Sequence, residues 1–140
     1  MRSLIARLVG LPSQDSDSPL QGSWKTYIPE LNRFNTVPMD AEMIIEVARD
    51  TVTITRHFVR GVIPSVSAVY MTDGHAHRRS SDGASVTARW ITPRRLDVLT
   101  VQSEGTTQDR YEISDDNTRL RWTTLRAGTD ERADTREFLR

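Results

Sequence analysis

From residue 41 onward, apolar and polar residues alternate along short segments that are separated by turn-forming residues. Met43, Ile45 and Val47 lie two positions apart, as do Tyr111 and Ile113. This period of two is typical of β-strands that bury one face. The alternation predicts strands over residues 41–48, 51–60, 65–72, 75–80, 84–90, 95–103, 106–114, 118–127 and 132–139.

The segment from Leu20 to Tyr27 predicts an opening strand ahead of these. Gly22 permits a close backbone approach, and Trp24 is large enough to plug one end of a barrel. Residues 29–39 break the alternation, and we expect a loop or a single helical turn there.

Turn residues recur at intervals of roughly 8–12 residues, with no helical segment between the strands. Asp73-Gly74 is the strongest of these turn signals, because Asp-Gly suits a tight hairpin. Nine or ten antiparallel strands would expose sheet edges unless the sheet closed on itself. The sequence therefore predicts an all-β protein, an antiparallel up-and-down meander closed into a barrel of about 8–10 strands.

For two strands, the sequence leaves open which side chains point into the barrel. The segment 95–103 carries two apolar rows, Leu96 with Val98 and Leu99 with Val101. Arg56 falls on the apolar face of its strand, yet a register slip of one residue would turn it outward.

Residues 1–19 predict a leader that precedes a barrel domain over residues 20–140. Leu4, Leu8 and Leu11 share a helical face, which predicts a short, loosely docked N-terminal helix; a lid over the barrel mouth is the alternative. Arg7 interrupts an apolar stretch that is also too short for a signal peptide, so we expect a cytoplasmic protein. No stretch approaches the roughly 18 apolar residues of a membrane-spanning helix.

Charge and composition exclude several functional classes. Nineteen basic and nineteen acidic residues cancel, so no overall field attracts nucleic acid. The absence of cysteine excludes disulfides, thiolate metal sites and a cysteine nucleophile. Lys25 is the only lysine and hence the only residue that could form a Schiff base.

Several short motifs follow one another in a familiar order. They are Gly22-Ser23-Trp24, the loop containing Asn32, Phe34 and Pro38, Tyr70-x-x-Asp73-Gly74, Tyr111-Glu112-x-Ser114-x-Asp116, Leu120 and a last strand ending near Phe138. From residue 20 to residue 139, the chain resembles the small bacterial lipocalin-like proteins of the calycin group. In that family the tryptophan of the first strand packs against an arginine from a late strand. The resemblance implies this structural role for Trp24, with Arg121 and Arg136 both candidates for the arginine.

The resemblance also implies a cavity for a small, largely apolar molecule. A barrel of about eight strands can enclose one such ligand. Six side chains are the candidate ligand-binding residues: Arg56, Phe58, Tyr70, Trp90, Tyr111 and Trp122. An inward Arg56 would hold an anion such as a carboxylate, because a guanidinium is always charged and donates in a fork.

Metal and cofactor chemistry have little support in the sequence. His75 and His77 share a strand face and could join His57 in a zinc site, but we favour a polar hairpin rim. A haem ligand in a late strand is missing, since no histidine follows His77. Nucleophile-elbow, phosphate-loop and dinucleotide motifs are also missing. We therefore predict no metal and no cofactor.

Two functions from different classes remain. The first is a carrier or sensor of a small apolar ligand, and the second is a cofactor-independent isomerase, cyclase or lyase acting on an apolar metabolite. An inward acid–base pair would favour the enzyme. Glu46, Asp97 and Glu112 fall opposite the apolar face, which favours the carrier. The expected partner is a small apolar molecule, and a homodimer stays open.

Overall fold

The computed structural model describes residues 14–26, 40–58, 64–126 and 132–140. Within these residues the chain forms ten strands. They are β1 (Gly22–Thr26), β2 (Asp40–Val47), β3 (Thr51–Phe58), β4 (Val66–Met71), β5 (Ala76–Arg78), β6 (Ser85–Thr92), β7 (Arg95–Gln102), β8 (Gly105–Ile113), β9 (Arg119–Arg126) and β10 (Arg132–Leu139). The predicted all-β class is confirmed, and each strand expected from the alternation is present, with ends that differ by a few residues at most.

The strands form one antiparallel sheet in the order β4-β3-β2-β1-β10-β9-β8-β7-β6-β5. The first and last strands pair with each other, with Lys25 opposite Leu139, so the sheet curls into a nearly closed barrel. The edge strands β4 and β5 are not paired. One backbone hydrogen bond, from Gly74 N to Ala88 O at 3.1 Å, joins the turn before β5 to β6.

Along each strand, every second side chain points into the barrel and the side chains between them point outward. Along β2 the side chains of Met43, Ile45 and Val47 are buried, and Glu46 between them is exposed. On β7 the inner row is Leu96 with Val98, while Leu99 and Val101 lie on the outer surface. The cross-strand register decides this choice, because Leu96 pairs with Tyr111 and Trp90, which are both buried.

One end of the barrel, the sealed end, is closed by fully buried side chains. Its members are fully excluded from solvent and include Leu20, Trp24, Leu120 and Phe138. Two turns carry the chain into this end, since Ser18 N donates to Asp15 O and Gln21 N donates to Ser18 O. Residues 14–21 are therefore folded onto the barrel. The predicted N-terminal helix and the 29–39 loop lie outside the described residues.

Arg140 completes the sealed end, and the expectation of Arg121 or Arg136 was wrong. The guanidinium carbon of Arg140 lies 4.2 Å from the centre of the Trp24 ring. Its nitrogens donate to Gln21 O at 3.0 Å, Pro19 O at 2.6 Å and Asn117 O at 3.1 Å. By contrast, Arg121 points outward to Glu137, so its strand position cannot serve Trp24.

The backbone next to Trp24 explains the glycine that precedes it. Gly22 has a φ of +139°, which L side chains rarely adopt, and a Cβ there would lie 2.9 Å from the Arg140 Nη1 atom. Trp24 Nε1 itself donates to Leu20 O at 3.0 Å. In the Gly-x-Trp pattern, Gly22 thus leaves space for the Arg140 side chain and Trp24 provides the ring on which it packs. No helix among the described residues has the length and hydropathy needed to cross a membrane.

Replacing Arg140 with alanine should lower the free energy of unfolding by about 1–3 kcal/mol, because three carbonyl oxygens and the Trp24 ring lose their cation. Chemical denaturation followed by tryptophan fluorescence measures the change. The matched control is Arg121→Ala, which removes only an exposed ion pair and should cost less than about 1 kcal/mol. Equal losses in the two variants would contradict the role assigned to Arg140.

Candidate ligand site inside the barrel

Inward side chains differ in exposure between the two ends of the barrel. Those at the sealed end are excluded from solvent, whereas a second group on the inner face is only half-buried. We call this second group the accessible interior; it comprises Arg56, Phe58, Ala68, Tyr70, Val86, Asp109, Thr124 and Arg136. Because these side chains share the inner face and are partly exposed to solvent, they are the candidates for contact with a ligand.

Trp122 lies at the centre of the accessible interior. Its ring stacks on that of Tyr111, with centroids 5.6 Å apart and planes inclined by 17°. The guanidinium carbons of Arg136 and Arg56 lie 4.5 Å and 4.9 Å from the centre of the Trp122 ring. Cations over an indole face are attracted by its π-electrons, and this attraction grows as water is excluded. Two arginines from opposite parts of the sheet are therefore held against one aromatic side chain.

Both arginines have further contacts that orient them. Arg56 also lies over the ring of Phe58, at 5.2 Å from its centre. Arg136 donates from Nε to Asp134 Oδ2 at 2.8 Å. Strand register explains the arrangement, because Arg136 is directly opposite Trp122, which is directly opposite Tyr111. The inward position of Arg56 agrees with the facing that its strand pattern predicted.

An inward carboxylate lies beside this stack. Asp109 Oδ1 accepts hydrogen bonds from Trp122 Nε1 at 3.0 Å and from Thr124 Oγ1 at 2.8 Å. Asp109 faces the interior because it is two residues before the buried Tyr111 and opposite the buried Val98. The sequence analysis placed Glu46, Asp97 and Glu112 opposite the apolar face and did not identify this inward carboxylate.

The tyrosines of the site are held in their neutral form. Burial, and then the charge of Asp109, raises the pKa of Tyr70, while Arg79 and Arg56 act in the opposite direction. Burial is also the main cause that raises the pKa of Tyr111 well above its ordinary value, and Arg56 and Arg136 partly oppose it. Both phenols can therefore donate hydrogen bonds at neutral pH.

The six predicted ligand-binding residues occupy two environments. Arg56, Phe58, Tyr111 and Trp122 form one contact chain, and Tyr70 is close enough to Arg56 and Asp109 for their charges to affect its pKa. Trp90 is 2% exposed and packs with the buried core, and its Nε1 has no hydrogen-bond partner. Contact between a ligand and any of these six side chains stays a prediction.

Sequence reasoning missed Asp109 and Arg136 as members of the site. A signal for both was present, because Asp109 shares the alternation of Tyr111 and Ile113, and Arg136 shares that of Phe138. Apolar residues alone do not single out these two charged positions, which emerge only when the alternation is extended along each strand.

The three histidines lie on outer or rim positions. His57 Nδ1 is 2.6 Å from Ser65 Oγ, and His77 Nε2 is 2.8 Å from Asp73 Oδ2. Asp73 also accepts from the backbone N of His75, which is the main cause that lowers the pKa of its carboxyl group. Within the described ranges, no three metal-binding side chains come together as a site for an ion.

Comparison with known proteins adds information on the fold. Neither a protein-family model nor a characterised protein matches the chain by sequence. Solved structures do match it in three dimensions. A Schistosoma mansoni fatty acid binding protein in complex with arachidonic acid has a TM-score of 0.65 at 13% identity and covers 89% of this chain and 98% of its own. The wild-type fluorescent protein UnaG has a TM-score of 0.61 at 15% identity, with 86% and 96% covered.

The chain shares the β-barrel fold of these two proteins. At identities of 13% and 15%, this similarity shows the fold and not the role of the interior side chains. The barrel fold that the resemblance implied is thus confirmed.

The raised pKa of Tyr111 predicts a loss of stability at alkaline pH. Because the folded state holds the phenolic proton more tightly, this contribution is complete below the ordinary pKa of 10.0 and is lost as pH rises through the folded pKa. The free energy of unfolding, measured by denaturation between about pH 9 and about pH 11, should therefore fall. The fall should be smaller in Tyr111→Phe, and smaller to a lesser extent in Tyr70→Phe. An undiminished fall in Tyr111→Phe would refute this assignment.

Proposed function

We propose that the protein binds a small, largely apolar molecule that carries an acidic group, and that it acts as a carrier or sensor. The observation that carries the proposal is the pair of guanidinium groups, Arg56 and Arg136, held inside the barrel against Trp122. A guanidinium is always charged and donates hydrogen bonds in a fork that matches a carboxylate. A bound carboxylate that reaches these groups would gain charge-assisted hydrogen bonds and be fixed in orientation.

Apolar side chains supply the remainder of the proposed site. Phe58, Ala68 and Val86 are half-buried on the inner face, which suits contact with a hydrocarbon chain. Ligand pockets in proteins commonly combine such a wall with a few placed polar groups. The Schistosoma mansoni neighbour, solved with arachidonic acid, holds a ligand of this type: an apolar chain with one carboxylate.

Electrostatics favours an acid over a neutral apolar ligand. Asp134 is exposed at the rim, and water screens its charge, although it orients Arg136 through Nε. Arg56 has aromatic rings around its guanidinium, so its field acts in surroundings that are less polar than water. An anionic head group placed near Trp122 thus gains from both arginines.

Arachidonic acid and its methyl ester are suitable probes of the acidic group. Wild-type protein should bind the acid and bind the ester about tenfold to a hundredfold more weakly, because the ester has lost the charge that Arg56 and Arg136 compensate. Isothermal titration calorimetry measures both affinities. Arg56→Ala and Arg136→Ala should each weaken binding of the acid while leaving binding of the ester nearly unchanged.

The control variant for this experiment is Arg121→Ala, which removes an arginine from the outer surface of β9. It should bind the acid like the wild-type protein. Thermal unfolding of each variant establishes that it is folded. Equal affinities for acid and ester would contradict binding of the acidic group by Arg56 and Arg136. If the protein binds neither probe, the carrier proposal is wrong.

A cofactor-independent isomerase, cyclase or lyase is the second candidate function. One observation favours it, namely the inward Asp109 close to Tyr70, since a carboxylate and a neutral phenol are a potential base and acid. Turnover of a bound apolar acid, followed by mass spectrometry, would be lost in Asp109→Asn. If the ligand is recovered unchanged from wild-type protein, the carrier is preferred. Assignment to the lipocalin-like proteins, a homodimer and a cytoplasmic location stay proposals beside these.

A further inference from the structure

Asp109 offers a hydrogen-bond acceptor that the protein leaves unused. Both of its side-chain hydrogen bonds, from Trp122 and Thr124, end at Oδ1. None of the described residues donates a hydrogen bond to Oδ2. This second oxygen is also not sealed from solvent, since the buried side-chain atoms without partners, among the described residues, belong to Thr72, Trp90 and Arg110.

Anchoring Trp122 and Thr124 does not by itself explain a carboxylate at this position. The carbonyl oxygen of an asparagine would accept the same two hydrogen bonds without bringing a charge into the barrel. A carboxylate also offers its second oxygen as an acceptor, whereas an asparagine would place an amide donor there. The carboxylate is therefore best explained by a donor that arrives with the ligand.

The unused oxygen lies near the proposed anion site. Trp122 connects the two, because its Nε1 donates to Asp109 while Arg56 and Arg136 lie over its ring. Asp109 and the two arginines thus contact the same indole side chain, so a ligand whose acidic group contacts the arginines also lies near Asp109. A ligand donor that meets Asp109 is therefore expected close to the acidic group that meets the arginines.

Resting on the function proposed above, we infer that the ligand is an apolar acid with a hydroxyl group close to its acidic group. The acid accepts hydrogen bonds from Arg56 and Arg136, and the hydroxyl donates to Asp109 Oδ2. An ammonium group in place of the hydroxyl is disfavoured, because two guanidinium groups near Trp122 repel a third cation. Burial and the charge of Asp109 raise the pKa of Tyr70, so its phenol stays neutral. The Asp109 carboxylate is therefore the acceptor for the ligand's hydroxyl group.

Three ligands of equal chain length test this inference on the wild-type protein. They are a saturated straight-chain fatty acid, the same acid with a hydroxyl group next to the carboxyl end, and the same acid with a hydroxyl group at the far end. Calorimetry should give an affinity about tenfold higher for the acid with the near hydroxyl than for the plain acid. The far hydroxyl should give no gain, since it lies away from Asp109.

The variant Asp109→Asn then identifies the group responsible. Its amide keeps an acceptor for Trp122 and Thr124 but offers a donor where Oδ2 stood. The advantage of the near hydroxyl should disappear, and the plain acid should bind more tightly than to wild-type protein, because a repelling charge is gone. Glu112→Gln, which neutralises a carboxylate on the outer face of the same strand, is the matched control and should keep the wild-type preference.

The outcomes separate this inference from the function on which it rests. Equal binding of the plain and near-hydroxyl acids by wild-type protein overturns the inference and leaves the carrier proposal standing. Binding of none of the three acids overturns both. Should Asp109→Asn fail to fold, the comparison of the three acids decides alone, because it needs only the wild-type chain.

Discussion

At the sealed end, the guanidinium of Arg140 lies over the Trp24 ring and donates to carbonyl oxygens from two other segments of the chain. The contact joins the first strand, the turns before it and the end of the last strand. A sheet that curls into a barrel needs its first and last strands held in register, and this cation does so where their pairing is short. It also closes the floor, so that solvent reaches the interior from elsewhere.

The closed floor gives the barrel two different interiors. Side chains around Trp24 pack as an ordinary core, excluded from water. Inner-face side chains around Trp122 remain half-buried and include charges of both signs. A dry, tightly packed interior would not tolerate such charges, so their presence fits an inner face that stays partly hydrated.

The polar groups of the accessible interior are arranged around one aromatic side chain. Trp122 stacks on Tyr111, contacts two guanidinium groups through its ring and donates to Asp109 through its nitrogen. A rigid indole with three kinds of partner fixes the relative positions of two cations and one anion. Such preorganisation lowers the cost of binding a ligand that carries complementary groups.

Much of this architecture follows from the sequence alone. Two-residue alternation and regular turns determined the strands, because both depend on neighbours along the chain. The tight hairpin expected at Asp73-Gly74 was wrong, since β4 and β5 lie at opposite ends of the strand order and do not pair with each other. The same alternation put Arg56 on the apolar face of its strand, with a one-residue slip as the open alternative, and contained the signal for Asp109 and Arg136.

Contacts between distant segments were decided only by the tertiary structure. The choice of Arg140 as the partner of Trp24 depends on how the end of β10 lies beside β1, and the choice of Leu96 over Leu99 depends on cross-strand register. The meeting of Arg56 with Trp122 brings β3 against β9 across the barrel, strands that are not neighbours in the sheet. Local sequence patterns specify the facing of each residue, but closure of the sheet decides which inward residues meet.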